Sequence, residues 1–593
     1  MNEYRRANQE VLAGRVGFAL TGEDRGEGIR VGANTCIDPR TSLRGPVLIG
    51  SNCRLEAGVT VEPYTVIGDN VVVEEGASLK QTVVWKGAVI GRRAAARRAV
   101  IGEGVVLEEN SAVYEGAAVG DGSRVGAFSL VKPEVKIWPS KEVEPYTTVR
   151  ENLVWGSRAS PGLFASCGVG GYLHRDLTPA RVSEVAQAWA GVLEPGSRVG
   201  LSRAPGAGAE LLALAVLAGL MAGGLQVLDL GEVLLPAHRY LVREERLAGG
   251  VHVRRDPREQ GRFWLVFMDG RGLPPSTGQR RKVEAGYQQG DFRRLGEDQI
   301  RRPETRADAE ARYLAYLREV LGARGRRGYP AGREHLVVQS PSPRVRALVE
   351  GLADLLPWDL ALTADRGLLR QEVRSRRAVG VSICDEGERL WLWEPGGMPL
   401  ARARLELLLA QVALADPELE VLALPVTGPE AARELARARG VEVRLVGSDW
   451  RVQAEAAWRE PGGGRQVRML GDALYTLSSL AACLAAEGRT LARAIADLPP
   501  VWRAGRDVPC PWWAKGKVLR RLAEAEDPGR VELVEGLKVY RPEGWALLLP
   551  DADEPLYHVY GEAGSLAAAE TLCRQYGEMI DRLARPPGAA EEV

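Results

Sequence analysis

The stretch Leu43-Arg44-Gly45-Pro46-Val47-Leu48-Ile49-Gly50-Ser51-Asn52-Cys53-Arg54-Leu55-Glu56-Ala57-Gly58-Val59-Thr60-Val61-Glu62-Pro63-Tyr64-Thr65-Val66-Ile67-Gly68 places a large apolar residue at every sixth position. Upstream, the series continues through Ile37 to Val31, and downstream through Val73 and Leu79 to Trp85. A second register then runs Val89, Ala95, Ile101, Leu107, Val113, Val119, Val125, Val131, Ile137, Val143 and Val149. Between the two the frame slips by four residues. A six-residue period fits neither a 3.6-residue helix nor two-residue alternation. It predicts a parallel β-helix with three short faces per coil, each sending one branched side chain inward. Glycine follows the inward residue at Val31, Ile49, Ile67, Val119 and Val125. Such residues, with Asn and Asp, suit the corners between faces.

This pattern resembles the left-handed hexapeptide-repeat β-helix, and we assign it residues 29–155, after a linker or helix remnant at 1–28. Some proteins of that fold are acyltransferases with a histidine base. The five histidines, His174, His238, His252, His335 and His558, all lie beyond the repeats. Assembly or spacing is therefore the expected role of this segment, and a wall of this kind can stack against a second copy.

The bulk properties narrow the field. A chain of 593 residues predicts several domains. Lys plus Arg and Asp plus Glu are 78 each, which leaves no electrostatic footprint for nucleic acid or an anionic membrane. Clusters such as Arg324-Gly325-Arg326-Arg327 read as solvated loops. The seven cysteines show no C-x-x-C spacing, so neither a zinc site nor a disulfide framework is indicated. The expected compartment is the reducing cytoplasm. The N-terminus lacks the apolar core of a signal peptide. Leu211 to Leu228 is uncharged, but Gly223-Gly224 divides it, which predicts a buried helix, a turn and a strand rather than a membrane span.

From Leu163 onward strands and helices alternate, predicting mainly parallel sheets with helical cover. Thr178-Pro179 opens a helix, with strands at Arg198–Leu201 and Leu225–Leu230. A second block has strands His335–Gln339, Asp359–Thr363 and Ala378–Ile383; a third has strands Glu420–Pro425 and Val441–Val446 and a long helix Asp472–Ala486. After about Pro500 a smaller α+β region closes the chain.

Three such blocks and a smaller fourth resemble the layout of the α-D-phosphohexomutases. Leu163-Phe164 with Gly168 resembles the family's opening L-F-G-T-D-G-I-R-G. Asp176-Leu177-Thr178-Pro179, Asp229-Leu230-Gly231, Ala248-Gly249-Gly250-Val251 and Glu543-Gly544-Trp545 followed by Asp553-Glu554-Pro555 resemble later family phrases in order. The resemblance implies phosphohexomutase-like domains I (160–303), II (304–398), III (399–500) and a C-terminal domain IV (501–593). The β-helix ahead of them makes the chain similar to fused mannose-1-phosphate guanylyltransferase/phosphomannomutase-like proteins. In those a nucleotidyltransferase domain comes first. Here Tyr4 to Leu12 resembles only the last helix of such a domain, and the glycine-rich G-G-x-G-T-R-L nucleotide loop is absent, so no guanylyltransferase activity is expected from this chain alone.

The family's chemistry needs a phosphorylated serine, a divalent metal on hard oxygens, sugar contacts and a phosphate cradle. Where the serine loop reads T-A-S-H-N-P, this chain reads His252-Val253-Arg254-Arg255-Asp256-Pro257. His252 is either a substitute phosphoryl acceptor or a structural histidine on the strand; Arg254 and Arg255 either bind phosphate or line a solvated turn. The metal loop D-G-D-G-D-R becomes Cys384-Asp385-Glu386-Gly387-Glu388-Arg389. Glu386 and Glu388 are the candidate Mg²⁺ ligands and Arg389 a candidate phosphate or sugar contact, although a thiol is a poor Mg²⁺ ligand; a charged β-turn is the alternative. The sugar loop G-E-x-S-G-H becomes Pro461-Gly462-Gly463-Gly464-Arg465-Gln466, with Arg465 the candidate contact. The phosphate loop R-P-S-G-T-E-P becomes Leu549-Pro550-Asp551-Ala552-Asp553-Glu554-Pro555, and Gly170 replaces the opening arginine.

The leading expectation is a mutase-like protein of carbohydrate metabolism with degenerate motifs, acting as a scaffold or regulator for a separate sugar nucleotidyltransferase. The rivals are an active sugar-phosphate mutase using substitute residues, and an interaction protein that oligomerises through the β-helix.

Overall fold

In the computed structural model, residues 29–159 wind through short strands of two or three residues. Residues 2–584 are described, except 18, 19, 144, 146, 150, 151, 154–157, 160–162, 165–167, 323–328, 330–333, 511 and 552–555. The Arg324–Arg327 cluster therefore lies outside the described residues. Each strand of the coil pairs in parallel with the strand three further along, which builds three sheets side by side around one core. Leu48 is level with Val66, Leu55 with Val73, and Val61 with Leu79. The inward column from Leu55 through Val61, Ile67, Val73 and Leu79 is essentially solvent-free. Full burial of each such side chain contributes about 1.5–3 kcal/mol.

The frame differs from the sequence expectation in one place. The chain does not slip by four residues after Trp85. It shortens the same step by one residue in two successive coils, so that Leu79 steps to Val84 and Ala96 to Ile101. Val84, Ile90 and Ala96 are the buried residues there, whereas Trp85 is 37% exposed and Val89 and Ala95 are half-buried. The physical reason is that each face needs only one inward side chain, and its corner tolerates five residues as well as six. One column of corners adopts the left-handed backbone at Asn34, Asn52, Asn70, Gly87, Gly104, Gly122 and Ser140. Asn and Gly visit that region at little cost, and Asn34 also donates to the Asn52 side chain at 3.3 Å.

Residues 1–28 are more than a linker. Asn2–Leu12 is a helix whose Tyr4 ring lies 5.8 Å from Trp85. Glu23–Asp24 pairs antiparallel with Ile29–Val31 and ends that sheet. At the other end Arg158–Ala159 still pairs with Glu142–Val143.

Contacts divide the chain into Met1–Ala165 and Ser166–Val593. The second unit holds four sheets. The first runs in the order Val169–Tyr172, Arg262–Asp269, Gly249–Arg255, Arg198–Arg203, Gln226–Glu232, Glu304–Thr305. Its last four strands are mutually parallel and its first two pairings antiparallel, so the sheet is mixed. Glu304–Thr305, on the far side of the expected domain boundary, completes this sheet. Thr178 caps the helix Pro179–Val192 by accepting from the Arg181 amide. The uncharged stretch folds as the helix Ala207–Ala222, a glycine turn and a strand; the helix is only partly buried, because Leu211 and Leu214 face solvent. No helix among the described residues is long and apolar enough to cross a membrane.

The second sheet runs Trp358–Thr363, Glu334–Gln339, Val379–Ile383, Leu390–Trp393. The third block holds the two strands and the long helix expected of it. Its sheet has two strands, Val421–Pro425 and Glu442–Val446, and the rest is helical, with Trp450–Trp458, Gly463–Gly471 and Ala473–Glu487 in succession. A five-stranded antiparallel sheet covered by the helix Leu566–Ala584 closes the unit. One continuous apolar cluster, including Leu241, Tyr313, Trp358 and Leu474, joins the first three blocks.

Candidate functional site

Two of the altered motifs meet. The strand Gly249–Arg255 carries His252 and Arg254, and the turn after Val379–Ile383 carries Glu386 and Glu388. His252 Nε2 lies 3.2 Å from Glu386 Oε2, and its Nδ1 lies 2.7 Å from Ser202 Oγ. Ser202 is the direct pairing partner of His252 on the neighbouring strand. The same Oγ lies 2.6 Å from His238 Nδ1. Ser202, His238 and His252 have no solvent exposure.

Proton bookkeeping along this chain has a consistent solution. His238 donates from Nδ1 to Ser202, Ser202 donates to His252 Nδ1, and His252 donates from Nε2 to Glu386. His238 Nε2 is then left bare, in keeping with its lack of any hydrogen-bond partner. Burial first, then the nearby His252 and Arg239, keep His238 well below the usual imidazole range, so its ring is neutral. The ring fits because Gly200 and Gly250 flank it; a Cβ at either would lie 2.4 Å from Nε2. Both nitrogens of His252 are thus engaged inside the protein, and neither is presented to a phosphoryl group.

Arg254 stands in the serine place when the loop is read back from Pro257. It donates to Glu388 Oε2 at 2.7 Å, and Arg239, on the helix Leu235–Glu244, donates to Oε1 at 2.8 Å. Arg239 also holds the Gly471 carbonyl at 3.0 Å. Burial opposes the charge on Glu388, but Arg239 and then Arg254 outweigh it and hold the carboxyl below the usual range. Burial pushes the Cys384 thiol up, and the Arg389 amide donates to its sulfur at 3.4 Å. The three positions expected to hold a metal are therefore a protonated thiol, a carboxylate facing a histidine, and a carboxylate with a guanidinium on each oxygen. This donor set does not fit Mg²⁺, which needs free hard oxygens. Among the described residues no group of three or more His, Cys, Asp or Glu is placed to hold a metal ion.

The other candidates lie apart from this cluster or at its edge. Arg255 is exposed at the strand end, its guanidinium passing over Gly206, whose Cβ would lie 2.2 Å away. Arg389 is exposed. Arg465 is not on a sugar loop: the glycine-rich run enters the helix Gly463–Gly471 through a left-handed Gly462, and Arg465 pairs with Asp416 at 3.3 Å. At Gly170 a Cβ would lie 2.5 Å from the Trp264 ring, so the indole occupies the space an arginine stem would need. Of the phosphate loop, residues 552–555 lie outside the described residues. Asp551 instead joins Asp507 in bracketing His558, at 3.0 and 2.7 Å. Burial works against charging that ring, but the hydrogen bonds to Asp507 and Asp551 outweigh it and raise its pKa. Sequence reading missed Ser202, His238 and Arg239. The available signal was long-range: Ser202 and the glycine pair Gly200/Gly250 become meaningful only once the strands are in register.

The second unit has the phosphohexomutase fold. Residues 162–294 match the family described as phosphoglucomutase/phosphomannomutase, alpha/beta/alpha domain I, and residues 43–153 match the GMPPB C-terminal domain. In structure it is similar to a phosphoglucomutase/phosphomannomutase family protein from Burkholderia thailandensis, with TM-score 0.60, 17% identity, and coverage of 72% of this chain and 98% of that one. A putative phosphomannomutase from Thermus thermophilus gives TM-score 0.54 at 18% identity, covering 70% and 98%.

Particular relatives by sequence are phosphoglucosamine mutases. A probable phosphoglucosamine mutase from Methanopyrus kandleri is 26% identical over 466 residues, 71% of this chain and 98% of the relative. A phosphoglucosamine mutase from Paenarthrobacter aurescens is 26% identical over 460 residues, 72% and 98%.

Proposed function

We propose that this chain is a sugar-phosphate-mutase relative of carbohydrate metabolism that has given up phosphoryl transfer and serves as a scaffold or regulator. The observation that carries the reading is the ion triad Arg239–Glu388–Arg254. It puts a guanidinium where the phosphorylated serine is expected and closes both oxygens of a would-be metal ligand. The engagement of His252 on both nitrogens removes the nearest substitute acceptor.

In the same reading the N-terminal unit is a left-handed hexapeptide β-helix of the kind found in fused guanylyltransferase proteins. The match to the GMPPB C-terminal domain and the stacked parallel sheets support this. It serves assembly, either with a second copy or with a separate sugar nucleotidyltransferase. The same reading keeps the chain in a reducing cytoplasm, where isolated thiols such as Cys53 and Cys573 persist. The test is a coupled mutase assay on the full chain with Mg²⁺ and glucose 1,6-bisphosphate, using mannose 1-phosphate and glucosamine 1-phosphate. No turnover above buffer is expected. Turnover that disappears in a His252→Ala or Glu388→Ala variant would establish an active enzyme with substitute residues.

A further inference from the structure

Beside the ion triad lie two further arginines that no carboxylate contacts among the described residues. Arg243 on the helix Leu235–Glu244 and Arg468 on the helix Gly463–Gly471 line one small cavity with Arg239, Leu273, Trp450 and Asp472. Neither Arg243 nor Arg468 has a carboxylate within 4.0 Å among the described residues, whereas Arg239 is held by Glu388. The only hydrogen bond of the Arg243 side chain to a described residue is a long one, 3.5 Å, to the Arg271 carbonyl. Arg468 lies beside the stacked rings of Tyr316 and Tyr475, 5.9 and 5.6 Å from their centres, and the two tyrosines favour its charge against burial.

The one acid lining the cavity, Asp472, offers a single charge to two guanidiniums and makes no ion-pair contact with either. Asp472 caps the helix Ala473–Glu487, and the same oxygen accepts from the Tyr475 amide at 2.8 Å and from the Tyr313 hydroxyl at 2.7 Å. Burial pushes its pKa up to about 6, while the charges of Arg243 and Arg239 act in the other direction. Burial, and then the charge of Arg468, act against the charge on Arg243. Two mutually repelling guanidiniums in a half-buried site are costly unless an anion joins them. Arginine forks match the oxygens of phosphate in geometry as well as in charge.

We propose that Arg243 and Arg468, with Arg239 at the edge, form a binding site for a phosphate group. The cavity measures about 10 Å³, room for one water-sized group. One phosphate oxygen enters it, and the remainder of the ligand sits at the mouth. The shared chemistry is a tetrahedral phosphate, either the free ion or a phosphomonoester. The site does not depend on phosphoryl transfer, and it stands whether or not the chain turns over a sugar phosphate.

The test uses the full chain in a low-anion buffer, titrated with inorganic phosphate or glucose 1-phosphate against chloride at matched ionic strength. Tryptophan fluorescence and melting temperature report binding; Trp450 lies 5.0 Å from the Arg239 guanidinium. Saturable stabilisation by phosphate beyond that of chloride is expected. Arg243→Gln and Arg468→Gln should each weaken it about ten- to a hundredfold, the loss of one charge-assisted contact. Far-ultraviolet circular dichroism checks folding. If Arg468→Gln fails to fold, the part-exposed Arg243→Gln decides. Tighter binding of glucose 1-phosphate identifies a phosphomonoester site, and tighter binding of inorganic phosphate a free-ion site. Absence of saturable binding, or binding unchanged by Arg243→Gln, overturns the proposal.

Discussion

Replacing Glu388 with alanine is the sharpest perturbation of the cluster formed by Arg239, Arg254 and Glu388. The carboxylate is 19% exposed and joins Arg239, 9% exposed, to Arg254, 16% exposed. Its removal leaves two arginines facing each other across the place of the lost carboxylate. Breaking a buried pair by deleting one partner costs about 3–5 kcal/mol. Arg254→Ala leaves Glu388 still paired with Arg239, and should cost about 1–3 kcal/mol, the scale of one charge-assisted bond. Urea unfolding followed by tryptophan fluorescence measures both. At a slope near 3 kcal/mol/M, the Glu388→Ala midpoint should fall by about 1 M. The double variant should be less damaging than the sum, because Arg254 has lost its reason to be neutralised. The sign with pH follows from the depressed folded pKa of Glu388. Its contribution is complete above the unfolded carboxylate value of about 4.3 and is lost as pH falls through the lower folded value. A Glu388→Ala cost below about 1 kcal/mol, the size of an exposed pair, together with strict additivity, would refute the buried triad.

Other outcomes follow from the same geometry. Val84→Asp should disrupt the coil by several kcal/mol, whereas Trp85→Asp should cost less than about 1 kcal/mol; equal effects in thermal melts would contradict the one-residue corner shift. Gly250→Ala should cost about 1–3 kcal/mol through its clash with His238, and His238→Ala in the same chain should recover part of it; no recovery in denaturant melts would remove the packing explanation. The raised folded pKa of His558 means that its pairing with Asp507 and Asp551 stabilises fully below the unfolded value of about 6.5. That contribution is lost as pH rises through the folded value. The stability difference between the chain and His558→Gln should therefore shrink above neutrality, and a difference that grows with pH would contradict the bracketed, protonated ring.

The coil was legible because its signal is local and repeated: one inward residue per face, from Val31 to Val149. It misled only at Trp85, Val89 and Ala95, between two steps that each lost one residue, which a six-residue ruler could not see. The alternating blocks were legible from strand and helix patterns, as at Thr178-Pro179 and at the strand Val421–Pro425. Within the third block only the run Gly462-Gly463-Gly464 misled, because it reads as a loop whereas the chain enters a helix at Gly463. For the site, sequence singled out His252, Arg254, Glu386 and Glu388 separately. Their pairing across more than a hundred residues, and the roles of Ser202, His238 and Arg239, depend on strand register and on a helix laid against the sheet. No local pattern carries that information.

The central claim, that the Arg254–Glu388 pairing has replaced phosphoryl chemistry, is tested most directly by intact-mass spectrometry. The full chain is incubated with Mg²⁺ and glucose 1,6-bisphosphate and then desalted. The account predicts an unmodified chain. A stoichiometric phosphoryl adduct, mapped to His252 or to another residue of this cluster and discharged by a hexose monophosphate, would contradict it.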